Sequence, residues 1–157
     1  MLDPLHHRRL VAASGYGELR MFQEAVAELE AIPPECQGVV PVLAAWVELY
    51  QTWQKWEEAR SVAERLVELE PDEPNWVVAL GYATRRSQGL VAAQQVLTRA
   101  LERFHEVAVI RYNLACYAAQ LGNVNQARAL LASAVQRDRA FAQLAKSDPD
   151  LDPLRGV

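Results

Sequence analysis

Four alanines, Ala25, Ala59, Ala93 and Ala127, stand 34 residues apart with no insertion between them. A fixed period of that length restricts a chain to stacked copies of one supersecondary unit. The same surroundings return at each alanine. Phe22, Trp56, Leu90 and Val124 lie three residues before it, Leu29, Ala63, Leu97 and Leu131 four after it, and Ile32, Leu66, Ala100 and Ala134 seven after it. These spacings share one face of a helix, so each unit carries an apolar stripe with a small residue inside it. Another helix precedes that stripe in every unit. In it Ala12, Trp46, Leu80 and Leu114 are followed by the smaller Ala13, Val47, Gly81 and Ala115, which allow neighbouring helix axes to come close.

Turn signals separate the two helices, most clearly Ser87-Gln88-Gly89 and Leu121-Gly122-Asn123, because glycine takes the left-handed backbone that a helix end requires. Prolines mark the unit ends. Pro71 closes one helix and Pro74 suits the first turn of the next, while Pro33-Pro34 cuts the second helix of the first unit short. The spacing predicts helices over about 4–17, 21–32, 39–53, 56–69, 74–86, 90–104, 107–121 and 124–137.

This pattern resembles the tetratricopeptide repeat, whose period is 34 and whose signature is W-x2-L-G-x2-Y, then A-x3-F, then A and P. Leu80-Gly81 and Leu114-Ala115 stand at the L-G pair, Tyr16 and Tyr50 at the tyrosine, the four spaced alanines at the central alanine, and Pro71 at the closing proline. Thr84 and Ala118 depart from the tyrosine, Ala12-Ala13 from L-G, and Pro33 stands where a second helix should still run. The resemblance covers about residues 6 to 141. It implies an all-α, right-handed superhelix of helical hairpins with about eight helices. It also implies a single domain over 1–157, with repeats at about 6–39, 40–73, 74–107 and 108–141 and a capping segment at 142–157. Phe141, Leu144, Leu151 and Leu154 are the expected anchors of that cap. Its ending resembles the D-x-D-L-x-x-L closure of many bacterial repeat arrays, which points to a bacterial source.

Composition excludes several classes of partner. Charged residues are 23% of 157 and the formal net charge is -4, so there is no basic footprint for nucleic acid or an anionic membrane. Cys36 and Cys116 make no disulfide framework and have no metal-ligand spacing, which suits a reducing compartment. The start lacks the basic-then-apolar order of a secretory signal, and no apolar run reaches the roughly 18 residues of a membrane span. The expectation is a soluble, cytoplasmic protein.

Each catalytic or metal motif fails on its spacing. Gly15-Tyr16-Gly17 opens like a phosphate loop, but Arg20 stands where the third glycine belongs. Asp148, Asp150 and Asp152 alternate like a calcium loop, yet Pro153 holds the glycine position, so they read as a solvated acidic cap. His6, His7 and His105 lack zinc spacing, and Cys116 has no histidine at helical spacing to activate it. No enzyme activity, cofactor or metal is expected. At least two of Trp46, Trp53, Trp56 and Trp76 are expected in the core, Trp46 and Trp56 holding core positions of the repeat.

The resemblance implies that the first helices line a concave face. Three rows repeat along it: Leu10, Ala44, Val78 and Tyr112; Ser14, Glu48, Tyr82 and Cys116; Gly17, Gln51, Arg85 and Ala119. The lysine, asparagine and arginine clamp by which chaperone-binding members hold a carboxylate is absent. Its places hold Leu10, Ser14, Ala45, Asn75 and Ala79 on the first three units, or Ala44, Glu48, Ala79, Val109 and Asn113 on the last three. The candidate partner-binding residues are therefore Leu10, Ser14, Glu48, Gln51, Val78, Tyr82, Arg85, Arg86, Tyr112, Asn113 and Cys116, a mixed groove suited to a peptide with apolar side chains and an acidic one. The expected function is a scaffold for a protein or peptide partner. A self-assembling module and an accessory or chaperone-like subunit of a larger bacterial system are the alternatives.

Overall fold

The computed structural model describes residues 1–156; Val157, the end of the expected capping segment, lies outside the described residues. Regular structure among the described residues is helical throughout. It comprises α1 (Pro4–Glu18), α2 (Phe22–Glu30), α3 (Val40–Trp53), α4 (Trp56–Leu69), α5 (Pro74–Gln88), α6 (Leu90–Arg103), α7 (Ala108–Gln120), α8 (Val124–Arg137), α9 (Ala140–Ala145) and α10 (Asp152–Arg155), with 3-10 turns at Pro34–Cys36 and Pro149–Leu151. The chain groups into two compact units, Met1–Ala83 and Thr84 onward, the boundary falling inside α5.

One hydrogen bond sets the repeat's register. The amides of Met21, Lys55, Gly89 and Asn123 donate to the carbonyls of Tyr16, Tyr50, Thr84 and Ala118 at 2.8, 2.8, 3.1 and 2.8 Å. Each reaches back five residues to close the first helix, a bond that usually needs a left-handed residue just past the helix end. Gly122 supplies it at φ 84°, but Arg20 and Gln54 adopt φ 59° and 64° with a full side chain. In the third repeat α5 runs on to Gln88, and Gly89 makes the turn instead at φ 96°. The second helices nevertheless restart 34 residues apart, and Ala25, Ala59, Ala93 and Ala127 are completely buried.

In the first unit, Ala13, Ala25, Leu29, Ile32, Val42 and Leu49 form one cluster, onto which Tyr16, Phe22 and Trp46 pack. Leu43, Val47, Ala63 and Leu66 form another, beneath Trp76 and Leu80. The four tryptophans are all half-buried. Trp46 and Trp76 lie against these clusters. Trp53 stacks on Phe22 with ring centroids 5.0 Å apart, and Trp56 meets the edge of the Tyr82 ring at 5.4 Å.

The second helix of the first repeat ends at Glu30, two residues before the predicted end. Pro33 has no amide to donate and its ring collides with a helical carbonyl four residues back, so the helix unwinds before reaching it. Gln37 repairs the break. Its Nε2 donates to the carbonyls of Leu29 and Ile32 at 2.7 Å each, while its Oε1 accepts from Trp46 Nε1 at 3.3 Å. Gln37 thus gives the Ile32 carbonyl a partner that would cost about 1–3 kcal/mol to leave unmet, and gives the Leu29 carbonyl a second donor beside the Ile32 amide at 3.1 Å.

In the second unit, α7 is buried from Leu114 through Ala119, as are Ile110 and Tyr112. A helix apolar all round must be covered all round. It packs against α6, α8 and the final segment, whose Pro149–Leu151 turn lies on α7 and whose α10 touches both α7 and α8. The cap is itself largely helical. Leu151 is its deep anchor at 1% exposure, Phe141 stacks on Tyr112 at 4.7 Å, and Leu154 is half-buried. Leu144, expected as an anchor, is 50% exposed, because the short α9 turns it away from the covered face.

Candidate binding surface

The first helices of the first unit present polar groups at the predicted positions. Ser14 Oγ donates to Glu48 Oε1 at 2.8 Å, linking residues one repeat apart on α1 and α3. Beside them lies a cleft of about 60 Å³ lined by Ala13, Ser14, Gly17, Glu18, Ala45, Glu48, Leu49 and Thr52. Gly17 is buried there, and a Cβ on it would stand in ordinary contact, 3.8 Å from Leu49 Cδ1. That volume takes a small side chain and is well below the roughly 300 Å³ of a cofactor pocket. Leu10 and Gln51 are half-buried and Glu48 is exposed. Further along, Val78 on α5 is half-buried and Tyr82 is 41% exposed.

The corresponding face of the second unit is closed. Tyr112 and Cys116, predicted as groove residues, are 4% and 3% exposed because the chain's own closing segment covers them, Phe141 over Tyr112 and Asp148 against both. Tyr112 Oη donates to Asp148 Oδ2 at 2.6 Å, with the Cys116 thiol 3.7 Å from the same oxygen. Arg85 grips Asp150 with both terminal nitrogens, Nη2 to Oδ1 at 2.8 Å, and lies over the Tyr117 ring at 5.4 Å. Gln120 Nε2 donates to the Asp150 carbonyl at 2.9 Å, and Asp148 Oδ1 accepts the Asp150 amide at 2.9 Å. Arg155 holds the Asp148 carbonyl at 2.9 Å. Asp148 and Asp150 are thus half-buried acceptors in a network and not the solvated acids expected of them. Arg86 is exposed near the end of α5, and Asn113 is half-buried on α7.

Electrostatics follow the burial. The Cys116 thiol is pushed up to about 12, first by desolvation and then by the charges of Asp148 and Asp150. The Tyr112 hydroxyl is raised by burial and by its bond to Asp148, and the Arg85 guanidinium is raised by its bond to Asp150. Donor atoms of Cys116, Asp148 and Asp150 lie within 4.8 Å of one another, close enough to be tested as a metal site. The fit is poor. A metal would need the thiolate that this site disfavours, and would compete with Arg85 and Tyr112 for carboxylates they already hold.

Sequence reasoning missed Gln37, Gln120, Asp148, Asp150 and the depth of Leu151. Only the D-x-D-L pattern of the closing segment signalled any of them. No helix among the described residues is long and apolar enough to cross a membrane.

No family model and no curated protein matches the chain. Solved structures do. The crystal structure of MamA protein superposes with a TM-score of 0.74 at 15% identity, covering 99% of this chain and 86% of that one. A MamA RS-1 double mutant gives 0.72 at 13% identity over 88% and 78%. YrrB, described as a TPR protein with an unusual peptide-binding site, gives 0.62 at 15% identity over 91% and 79%. At such identities the likeness concerns the fold, and the chain has the tetratricopeptide-repeat fold.

Proposed function

We propose that the chain is a protein-interaction scaffold that holds peptide segments on the faces of its first helices. The observation that carries this reading is internal: Asp148 to Leu151 is a short turn whose two carboxylates, one backbone carbonyl and one leucine are each received by side chains of α5 and α7. Such a constellation of charge, hydrogen bonds and one buried apolar anchor is how a repeat surface recognises a peptide. The peptide-binding site attributed to YrrB supports the same use of the fold. In the first unit the equivalent face, with Leu10, Ser14, Glu48 and Gln51, is the proposed site for a partner. Val78 and Tyr82 extend it along α5. The acceptor Glu48, exposed beside a cleft sized for one small side chain, favours a segment carrying a cation or amide next to a small apolar residue.

A photo-crosslinking residue placed at Gln51 in cells tests this against the same residue at Ser61, exposed on α4. The expected result is a discrete protein adduct from Gln51 that is lost with Glu48→Arg and absent from Ser61. Equal adducts from both positions, or an adduct indifferent to Glu48→Arg, would overturn the assignment.

A further inference from the structure

We infer that the outward face of α1 is the contact surface for a second copy of this chain, two α1 helices pairing antiparallel about a two-fold axis that passes between Val11 and Gly15, level with residue 13. This goes beyond the scaffold reading and uses a different face. At 100° per residue, Leu5, Arg8, Val11, Gly15, Glu18 and Leu19 fall on one side of α1. Leu5, Val11 and Leu19 are 53, 74 and 71% exposed, and no atom would come within 4 Å of a Cβ on Gly15. The opposite side, with Ala13 and Gly17, is buried, and Ser14 reaches Glu48 on α3.

The residues on this face do not suit docking onto another helical pair in the manner of the later repeats. Where α1 has Arg8 and Gly15, α3 has Val42 and Leu49, buried to 0 and 4%, and α7 has Ile110 and Tyr117, buried to 0 and 2%. A charge and a missing side chain replace the apolar bulk those helices use.

The same residues complement themselves. In an antiparallel pair centred on residue 13, Arg8 meets Glu18 of the partner subunit and Val11 meets the partner's Gly15. Two-fold symmetry then makes every contact twice, as an isologous interface requires. Arg8 and Glu18 are exposed and have no ion pair with any described residue. Gly15 gives Val11 of the partner subunit room to bring the helix axes together. One helix on one helix is a small interface, so the dimer is transient, with a dissociation constant on the order of tens of micromolar.

Sedimentation velocity on the full chain, at low salt and from about 5 to 500 µM, tests the inference. The expected result is a concentration-dependent dimer. Arg8→Glu and Glu18→Arg each weaken it about tenfold by setting like charges opposite one another twice, and the doubly reversed chain recovers wild-type association. Both positions are exposed on α1, and unchanged thermal midpoints show that all three variants fold. A monomer throughout, a dimer indifferent to both reversals, or a double variant no better than the singles would overturn it.

Discussion

The first helices of the two units are built on one pattern and meet their surroundings differently. In the first unit, Glu48 is exposed, Ser14 and Gln51 are half-buried, and a shallow cleft lies between α1 and α3. In the second, Tyr112 and Cys116 lie beneath the chain's own acidic turn, and Arg85 closes over Asp150. The contrast follows from side-chain chemistry. The second unit offers three donors, Arg85, Tyr112 and Gln120, and an apolar seat to an acidic segment supplied by the same chain, whereas the first presents an acceptor, Glu48, to which Ser14 donates. A single architecture thus carries one face covered by its own chain and one with an exposed acceptor beside a cleft.

The comparison breaks most visibly at Leu151. Leu151→Ala removes a fully buried side chain from the turn that covers α7 and is expected to cost about 3 kcal/mol in chemical denaturation. An equally nonpolar truncation at Val11, exposed on α1, is expected to cost less than about 0.5 kcal/mol. Similar losses at both sites would mean that the cap is not seated as described.

Alkaline pH separates the two units next. The folded chain keeps the Cys116 thiol protonated up to about 12, whereas the unfolded thiol ionises near 9. Its contribution is therefore complete below pH 9 and is lost as pH rises from 9 towards 12, at about 1.4 kcal/mol per pH unit. Tyr112, also raised, acts with the same sign from its ordinary value of 10.0 upward. Cys116→Ala should flatten part of this decline in denaturation curves recorded between pH 8 and 11. A slope unchanged by the substitution would remove the thiol from the network.

Two smaller effects belong to the first unit. Gln37→Ala strands the Ile32 carbonyl and takes one of two donors from the Leu29 carbonyl, and is expected to cost about 1–2 kcal/mol, with faster amide exchange confined to the end of α2. Gln54→Gly relieves a left-handed residue bearing a side chain and should stabilise by about 0.5 kcal/mol, seen as a higher thermal midpoint. The same change at Ser61, inside α4, should destabilise instead.

The fold was legible in the sequence because its information is local and repeated. Alanines at one spacing mark a position with no room for more than a methyl group, and the predicted starts of the second helices at 56, 90 and 124 match α4, α6 and α8. The proline break was legible too, but its repair was not, since a glutamine serving as a helix cap leaves no periodic trace. The network on α7 was hidden for a different reason. Arg85 and Asp150 are 65 residues apart and Tyr112 and Asp148 are 36 apart, so their pairing depends on how the closing segment folds back, which no spacing records. Arg85 is also close to the end of α5, where a cation is favourable in any case. That local explanation concealed the distant partner. Tyr112 and Cys116 were expected on the groove rows, and what the rows could not show is that the chain covers them itself.

The central claim, that a first-helix face of this fold reads a peptide, is tested most directly by separating the peptide from its seat. A chain ending at Ala145 is titrated with a synthetic peptide of residues 146–156 and followed by calorimetry and far-ultraviolet dichroism. Saturable binding in the micromolar range is expected, lost with Arg85→Glu in the chain or with alanine at both Asp148 and Asp150 in the peptide. No saturation up to about 1 mM peptide, by a truncated chain that keeps its helical spectrum, would contradict it.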